Sequence, residues 1–238
     1  MPPLRPSTLD ERRRFYAREF DLRKVRSWFA GRRLPQLCAV DAGSETGIIV
    51  DEKLKGEVLY FPFSELRKKL SKYAPEDVYY DRNVYDDPKR VLRTLRFGAW
   101  REQELVFDID ADNIPCTHPK TQDACPRCIA KALSSAKRIK VTLGKEYRDV
   151  RIVYSGRGFH VHVLDDEAWR LSVAQRERLV RRFAKEPIDQ WVTRSRIRLV
   201  RMPYSLNALV SRVAVPVRGR IPKAIPRFLR YPRRAFLP

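Results

Sequence analysis

The sequence predicts an α/β (α+β) fold, a mixed or antiparallel sheet flanked by helices, and three observations carry that expectation. "ELVFDID" (104–110) alternates at the period of a strand: Leu105, Phe107 and Ile109 point one way, while Val106, Asp108 and Asp110 point the other. "DVRIVYSG" and "HVHVLD" are two further strand-like runs joined by the tight "GRGF" turn, the pattern of a hairpin. Helical segments interleave with these strands, which defines the class.

Taken in order, "TLDERRRFYAREFDLRKVRSWFAG" reads as one helix, opened by Thr8 or Asp10 and closed before Gly31. Short apolar runs at 37–40, 47–50 and 58–61 read as strands. Ser64 is placed to cap "ELRKKLSKYA", and "DDPKRVLRTLRFG" is a helix with Pro88 in its first turn and Gly98 at its end. "CIAKALSSAKRIKVTLGKEY" is helical by composition. Ser172 and Gln175 form a capping box for "VAQRERLVRRFAKE", whose Val173, Leu179, Val180 and Phe183 make an apolar face. "RIRLVRM" and "RVAVPV" close the ordered part as strands. Residues 1–217 thus form the expected core. Residues 218–238 hold four prolines, seven Lys or Arg and no acid, and read as an extended basic tail that does not pack fully on the core.

The chain of 238 residues is long enough to bury a real core. Its 50 Lys+Arg against 29 Asp+Glu leave a net charge of +21, a field that draws polyanions. Nucleic acid is the default partner, and an anionic membrane surface is the rival. No apolar run approaches the ~20 residues of a spanning helix and no charged-then-apolar leader is visible, so the expected location is cytoplasmic, on a chromosome or plasmid. Three of the four cysteines fall within 13 residues, which suits a metal site in a reducing compartment better than a disulfide framework.

Four segments carry chemistry. Asp108 and Asp110 stand two apart on one strand face, about 6 to 7 Å along the backbone, and repel unless a cation lies between them. Paired divalent ions, Mg²⁺ or Mn²⁺, use such acids for phosphoryl or nucleotidyl transfer; taken alone, a D-x-D is as readily a solvent-facing edge. Cys116, His118, Cys125 and Cys128 offer three thiolates and an imidazole in C-x-H and C-x-x-C spacing. They predict a closed, structural Zn²⁺ knuckle inserted at about 114–130. In "YSGRGFHVHV" a Ser-Gly-x-Gly turn presents backbone N–H groups, the Ser155 hydroxyl and Arg157, all suited to phosphate oxygens. His160 and His162 project together from the second strand. In "PIDQWVTRSRIRLVRMPYSLN", Asp189 precedes a strand and Arg201 and Ser205 follow at its end, an undistinguished arrangement by itself.

In this order the four segments resemble the catalytic small subunit of archaeal and eukaryotic DNA primase, the archaeo-eukaryotic primase superfamily. The matching stretches are "LVFDID", the adjoining C-x-H…C-x-x-C, "YSGRGFHVHV" and "IDQWVT…LVRMPYSL". "FPFSELRKKLSKYAPEDVYYD" and "GAWREQELVFDID" share the family's look, and the likeness runs from about 55 to 217. The resemblance implies a primase-type core making primers on single-stranded DNA from nucleoside triphosphates by two-metal nucleotidyl transfer. It implies Asp108, Asp110 and Asp189 as the metal-binding aspartates, and Ser155, Arg157, His160, Arg201, Ser205 and Asn207 on the nucleotide side. A primase large subunit or other replication proteins would be partners, and a membrane would not. Two departures stand out: the loop from Ser155 to His160 is one residue shorter than the family's common form, and Asn207 stands where the family has histidine. The readings set against this one are a two-metal nuclease and a non-catalytic zinc-knuckle module that binds nucleic acid electrostatically.

Overall fold

A computed structural model of the chain describes residues 4–44, 46–118, 125–193 and 198–230. The helices are α1 (Leu9–Arg18), α2 (Leu22–Trp28), α3 (Leu66–Tyr73), α4 (Pro88–Thr94), α5 (Pro126–Leu143), α6 (Asp166–Trp169), α7 (Val173–Arg182), α8 (Gln190–Thr193) and α9 (Arg227–Arg230). The strands are β1 (Leu37–Asp41), β2 (Val58–Pro62), β3 (Asp77–Asp81), β4 (Asn83–Val84), β5 (Glu102–Gln103), β6 (Leu105–Asp110), β7 (Val150–Tyr154), β8 (Gly158–Val163), β9 (Leu199–Arg201), β10 (Leu206–Asn207), β11 (Arg212–Val213) and β12 (Val215–Pro216). They make two four-stranded sheets, β2-β1-β3-β9 and β12-β7-β8-β6, with every pairing antiparallel.

Side-chain alternation decides how these layers stack. Leu105, Phe107 and Ile109 of β6 and Phe159, Val161 and Val163 of β8 turn to one face, where α5 and α7 cover them with Ile129, Ala136, Ile139, Leu179 and Val180. The opposite face offers Val106 and Val153 to a second core built from Cys38, Val40, Val78, Tyr80 and Val200 of the first sheet and the aromatics of α1 and α2. Asp108 and Asp110 share the face of Val106 but lie beyond its apolar fill, so they look into a gap between the sheets.

Several local expectations give way. The N-terminal helical stretch is two helices, because the N–H groups of Glu19 and Phe20 both close on the Phe15 carbonyl and Asp21 restarts the chain by capping Arg23 N–H. Residues 47–50 form no strand; the Ile48 carbonyl is taken by the buried Arg12 guanidinium. Ser64 caps nothing, since it sits inside a 3₁₀ turn, Phe63–Glu65, that leads into α3. The α4 helix stops at Leu95, in the left-handed region at φ 52°, before Gly98 is reached.

The tail also departs from expectation. Phe228 is only 7% exposed in the second core, Ile221 and Ala224 pack on the first, and Val213 N–H donates to Ala224 O at 2.8 Å. Burying one phenylalanine is worth about 1.5–3 kcal/mol, and it acts with Ile221, Ala224 and the Val213–Ala224 hydrogen bond to hold the strap down to residue 230. Residues 231–238 lie outside the described set. Among the described residues no helix is long and apolar enough to cross a membrane.

Candidate active site

The β6–β8 register sets Asp108 opposite His160 and Asp110 opposite Gly158. On the other edge of β6, Asp189 makes a single antiparallel bridge with Asp108, its N–H donating to the Asp108 carbonyl at 2.8 Å. The acid that is undistinguished in the sequence therefore stands beside the pair. Its own Oδ1 accepts the N–H of Trp191 at 2.8 Å, fixing the entry to α8. Arg82, fully buried, holds the next turn by donating to the carbonyls of Glu104 (2.8 Å) and Val192.

Asp108 and Asp110 open on a cleft of about 160 Å³, lined also by Ser155, Arg157, His160, Arg201 and Asn207 together with Tyr79; Asp189 stands beside it through its bridge to Asp108. Its electrostatics are unbalanced. Burial, then Asp110, then Asp189, holds the Asp108 carboxyl well above the usual carboxylate range, against the pull of Arg201. Burial raises Asp110 as well, opposed by Arg157. Asp108 Oδ1 is buried with no hydrogen-bond partner, and His160 Nε2 lies 3.4 Å away. Burial, His162 and Arg201 keep His160 far below its ordinary titration range, so that imidazole is neutral and leaves the acids uncompensated. An orphaned carboxylate oxygen among acids that resist ionisation is a donor set fitted to a hard divalent cation.

The basic side of the cleft is built as firmly. Arg201 makes a two-pronged pair with Asp77, NH2 to Oδ2 at 2.7 Å. Burial alone would lower its pKa, and Asp77 outweighs burial and raises it, so Arg201 is a fixed positive charge. Arg157 lies 3.8 Å from Asp112. Ser155 Oγ accepts Gly158 N–H at 3.1 Å, and Asn207 Nδ2 donates to Ser155 O at 3.1 Å, leaving Asn207 Oδ1 without a partner. Asn207 thus clamps the shortened loop. Both loop glycines are required: a Cβ on Gly156 (φ 110°) would meet Asn207 Nδ2 at 2.9 Å. One on Gly158 would meet Asp110 Oδ1 at 2.8 Å and the Ile109 carbonyl closer still.

Ser205 does not join the cleft. It is fully buried and donates to Met202 O at 2.7 Å, closing the turn that carries Tyr204. His162, on the face of His160, is a core residue whose Nδ1 lies 2.8 Å from Glu104 Oε1, while Tyr80 OH donates to Glu104 at 2.6 Å. Two contributors went unread in the sequence, Asp77 and Tyr79. The signal was there: "DVYYD" alternates polar Asp77, Tyr79 and Asp81 with buried Val78 and Tyr80.

Beside the cleft, the Sγ atoms of Cys116, Cys125 and Cys128 lie within 4.8 Å of one another. The Cys128 thiol is pushed up to about 11, chiefly by Cys116, while the Cys128 backbone N–H draws Cys125 down. Three thiols so close can all ionise only around a cation, and soft sulfur donors suit zinc. His118 is not gathered with them: its Nδ1 is 3.5 Å from Cys116 Sγ, but its Nε2 faces Arg127 at 2.9 Å. Among the described residues these thiols alone meet that spacing, so the three aspartates form a looser set.

The chain shares its fold with the polymerase domain of Mycobacterium tuberculosis Ligase D, solved in complex with DNA, which superposes with a TM-score of 0.52 at 16% identity. The match covers 89% of this chain and 81% of that one. The family model for the DNA primase small subunit matches residues 107–186. A DNA primase small subunit-like protein of Archaeoglobus fulgidus is 37% identical over 90% of this chain and 85% of its own length. The chain belongs to the DNA primase small subunit family. The DNA primase small subunit PriS of Pyrococcus furiosus is 30% identical over 78% of this chain, which spans 51% of that protein; the PriS of Pyrococcus abyssi gives the same identity and coverage of 52%. This chain therefore spans about half the length of those PriS relatives.

Proposed function

We propose that this chain is a primase-polymerase core that makes primers on single-stranded DNA by template-directed nucleotidyl transfer. One observation carries the reading: Asp108 and Asp110 of β6, a neutral histidine, two arginines and a clamped Ser-Gly turn line one cleft, and Asp189 is bridged to the backbone of Asp108 beside it. Asp108, Asp110 and Asp189 would hold two Mg²⁺ or Mn²⁺ ions. When bound, such ions lower the pKa of the attacking hydroxyl and stabilise charge on the departing pyrophosphate.

The protein's own groups do the rest. The uncompensated acids keep the cleft ready for cations without rearrangement. Arg157 and Arg201 supply positive charge toward a triphosphate, and Arg201 cannot swing away because Asp77 grips it. Ser155 accepts Gly158 N–H and retains its own proton for a phosphate oxygen. His160, kept neutral by burial, would donate a hydrogen bond to a phosphate oxygen without adding charge. Cys116, Cys125 and Cys128 would hold a structural zinc that fixes the segment after β6. Residues 1–217 form the catalytic core in this reading, and the +21 chain would grip template through its phosphates.

Incubation of the full chain with single-stranded template and Mn²⁺, with and without nucleoside triphosphates, tests this. Primer synthesis that Asp108→Ala abolishes supports the proposal. Shortening of labelled strands without nucleotides would favour a nuclease, and binding of DNA with no metal-dependent nucleotide affinity would favour a passive module.

A further inference from the structure

A second concavity, of about 780 Å³, lies where the turn between α1 and α2 meets the C-terminal strap. Its rim carries Arg18, Arg23, Lys24, Arg67, Arg227 and Arg230 against two acids, Glu19 and Asp21. Both acids serve the backbone: Glu19 Oε2 accepts Arg227 N–H at 2.7 Å, and Asp21 Oδ1 accepts Arg23 N–H at 2.9 Å. Arg18, Lys24 and Arg230 are exposed, and no carboxylate pairs with them among the described residues. The floor is aromatic, with Tyr204 half-buried and held at φ 68°, its N–H donating to Ala214 O at 2.7 Å. A tyrosine in the left-handed region is uncommon and needs such tethering.

This groove adjoins the cleft through covalent structure. Tyr204 and Asn207 are three residues apart, so their Cα atoms are at most about 11 Å apart. The β10–β11 pair, Leu206↔Val213 and Asn207↔Arg212, is a shared wall: Asn207 faces the cleft and Val213 faces the groove. A cationic rim over an aromatic floor is the chemistry that holds a single strand, phosphates on the rim and a base on the ring.

We propose that this groove is a single-stranded DNA subsite, with backbone phosphates on Lys24, Arg18 and Arg230 and a base stacked on Tyr204. Only the identity of the strand as template rests on the function proposed above; the binding stands on charge and shape. A comparison surface is at hand between α5 and α7, basic through Lys137, Arg181 and Lys185, whose lining aromatic Phe183 is buried.

Binding of a fluorescent oligothymidylate to the full chain, without nucleotides or added divalent ions and over a salt series, tests the proposal. K24E/R230E should weaken binding by about tenfold or more and reduce the salt slope by about 1.4, the share of two phosphate contacts. Tyr204→Phe should bind as the native chain, while Tyr204→Ala, checked for folding by its Tm, should weaken binding with the salt slope unchanged. K137E/K185E and Asp108→Asn should leave affinity within about twofold. Native affinity in K24E/R230E, or an equal loss in K137E/K185E, overturns the proposal. Loss of synthesis in Asp108→Asn alone speaks only to the cleft.

Discussion

The N–H of Asp189 donates to the carbonyl of Asp108 across 2.8 Å, joining two acids from distant parts of the chain backbone to backbone. Their side chains are thereby carried on neighbouring segments and cannot drift apart independently. Asp110, two residues along the same strand face, completes the set.

Asp108 should destabilise the metal-free protein. Its carboxyl is raised above the unfolded value, so a penalty of about 1.4 kcal/mol per pH unit builds up as pH rises from the unfolded pKa near 4 and is complete only above the folded pKa. Asp108→Asn should raise the Tm by about 3 °C or more in chelator at pH 7. Mn²⁺ should raise the native Tm and leave the variant's unchanged. Calorimetry of both proteins checks this.

Asp77 should matter far more than a surface acid. Removing it strands a buried guanidinium, which costs about 3–5 kcal/mol. Asp77→Ala should be destabilised by about that amount in urea unfolding, and the double variant Asp77→Ala/Arg201→Met by less.

The thiol cluster should bind one zinc per chain. Cys125→Ser and Cys128→Ser should each lower zinc content measured by mass spectrometry, along with the Tm. His118→Ala should retain the metal, because His118 is not gathered with the three sulfurs that lie within 4.8 Å of one another.

Asp149 supplies an acid-labile anchor between β7 and the segment after α2. Burial would raise its carboxyl, but Arg151 (2.7 Å) and Arg32 outweigh burial and lower it. A depressed acid stabilises above the unfolded pKa of about 3.9 and loses that contribution as pH falls through the folded value. Asp149→Asn should therefore cost about 1–2 kcal/mol at pH 7, and progressively less as pH falls below about 3.9, in equilibrium unfolding.

How much of this was legible divides along physical lines. The alternation of "ELVFDID" and the "GRGF" hairpin were readable because both are local, period-two patterns; the register of Asp108 with His160 was not, because it pairs β6 with β8 across α5 and β7. Asp189 was not readable from its surroundings, because its position depends on a bridge to a strand far away in sequence. Strand β3 was hidden by acids at both ends of "DVYYD", whose partners, Arg201 and Arg198, lie near the other end of the chain. Ser205 looked like part of the site because it neighbours Arg201 in sequence, but the turn at Met202–Ser205 directs its hydroxyl inward. The strap to residue 230 looked purely basic, although Ile221, Ala224 and Phe228, spaced along it, pack on the two cores.

The most direct test is primer extension by Asp189→Asn on a single-stranded template with Mn²⁺ and nucleoside triphosphates, beside a binding assay for the same template. Extension should disappear while template affinity stays native. Extension at the native rate would contradict the metal-binding role proposed for Asp189.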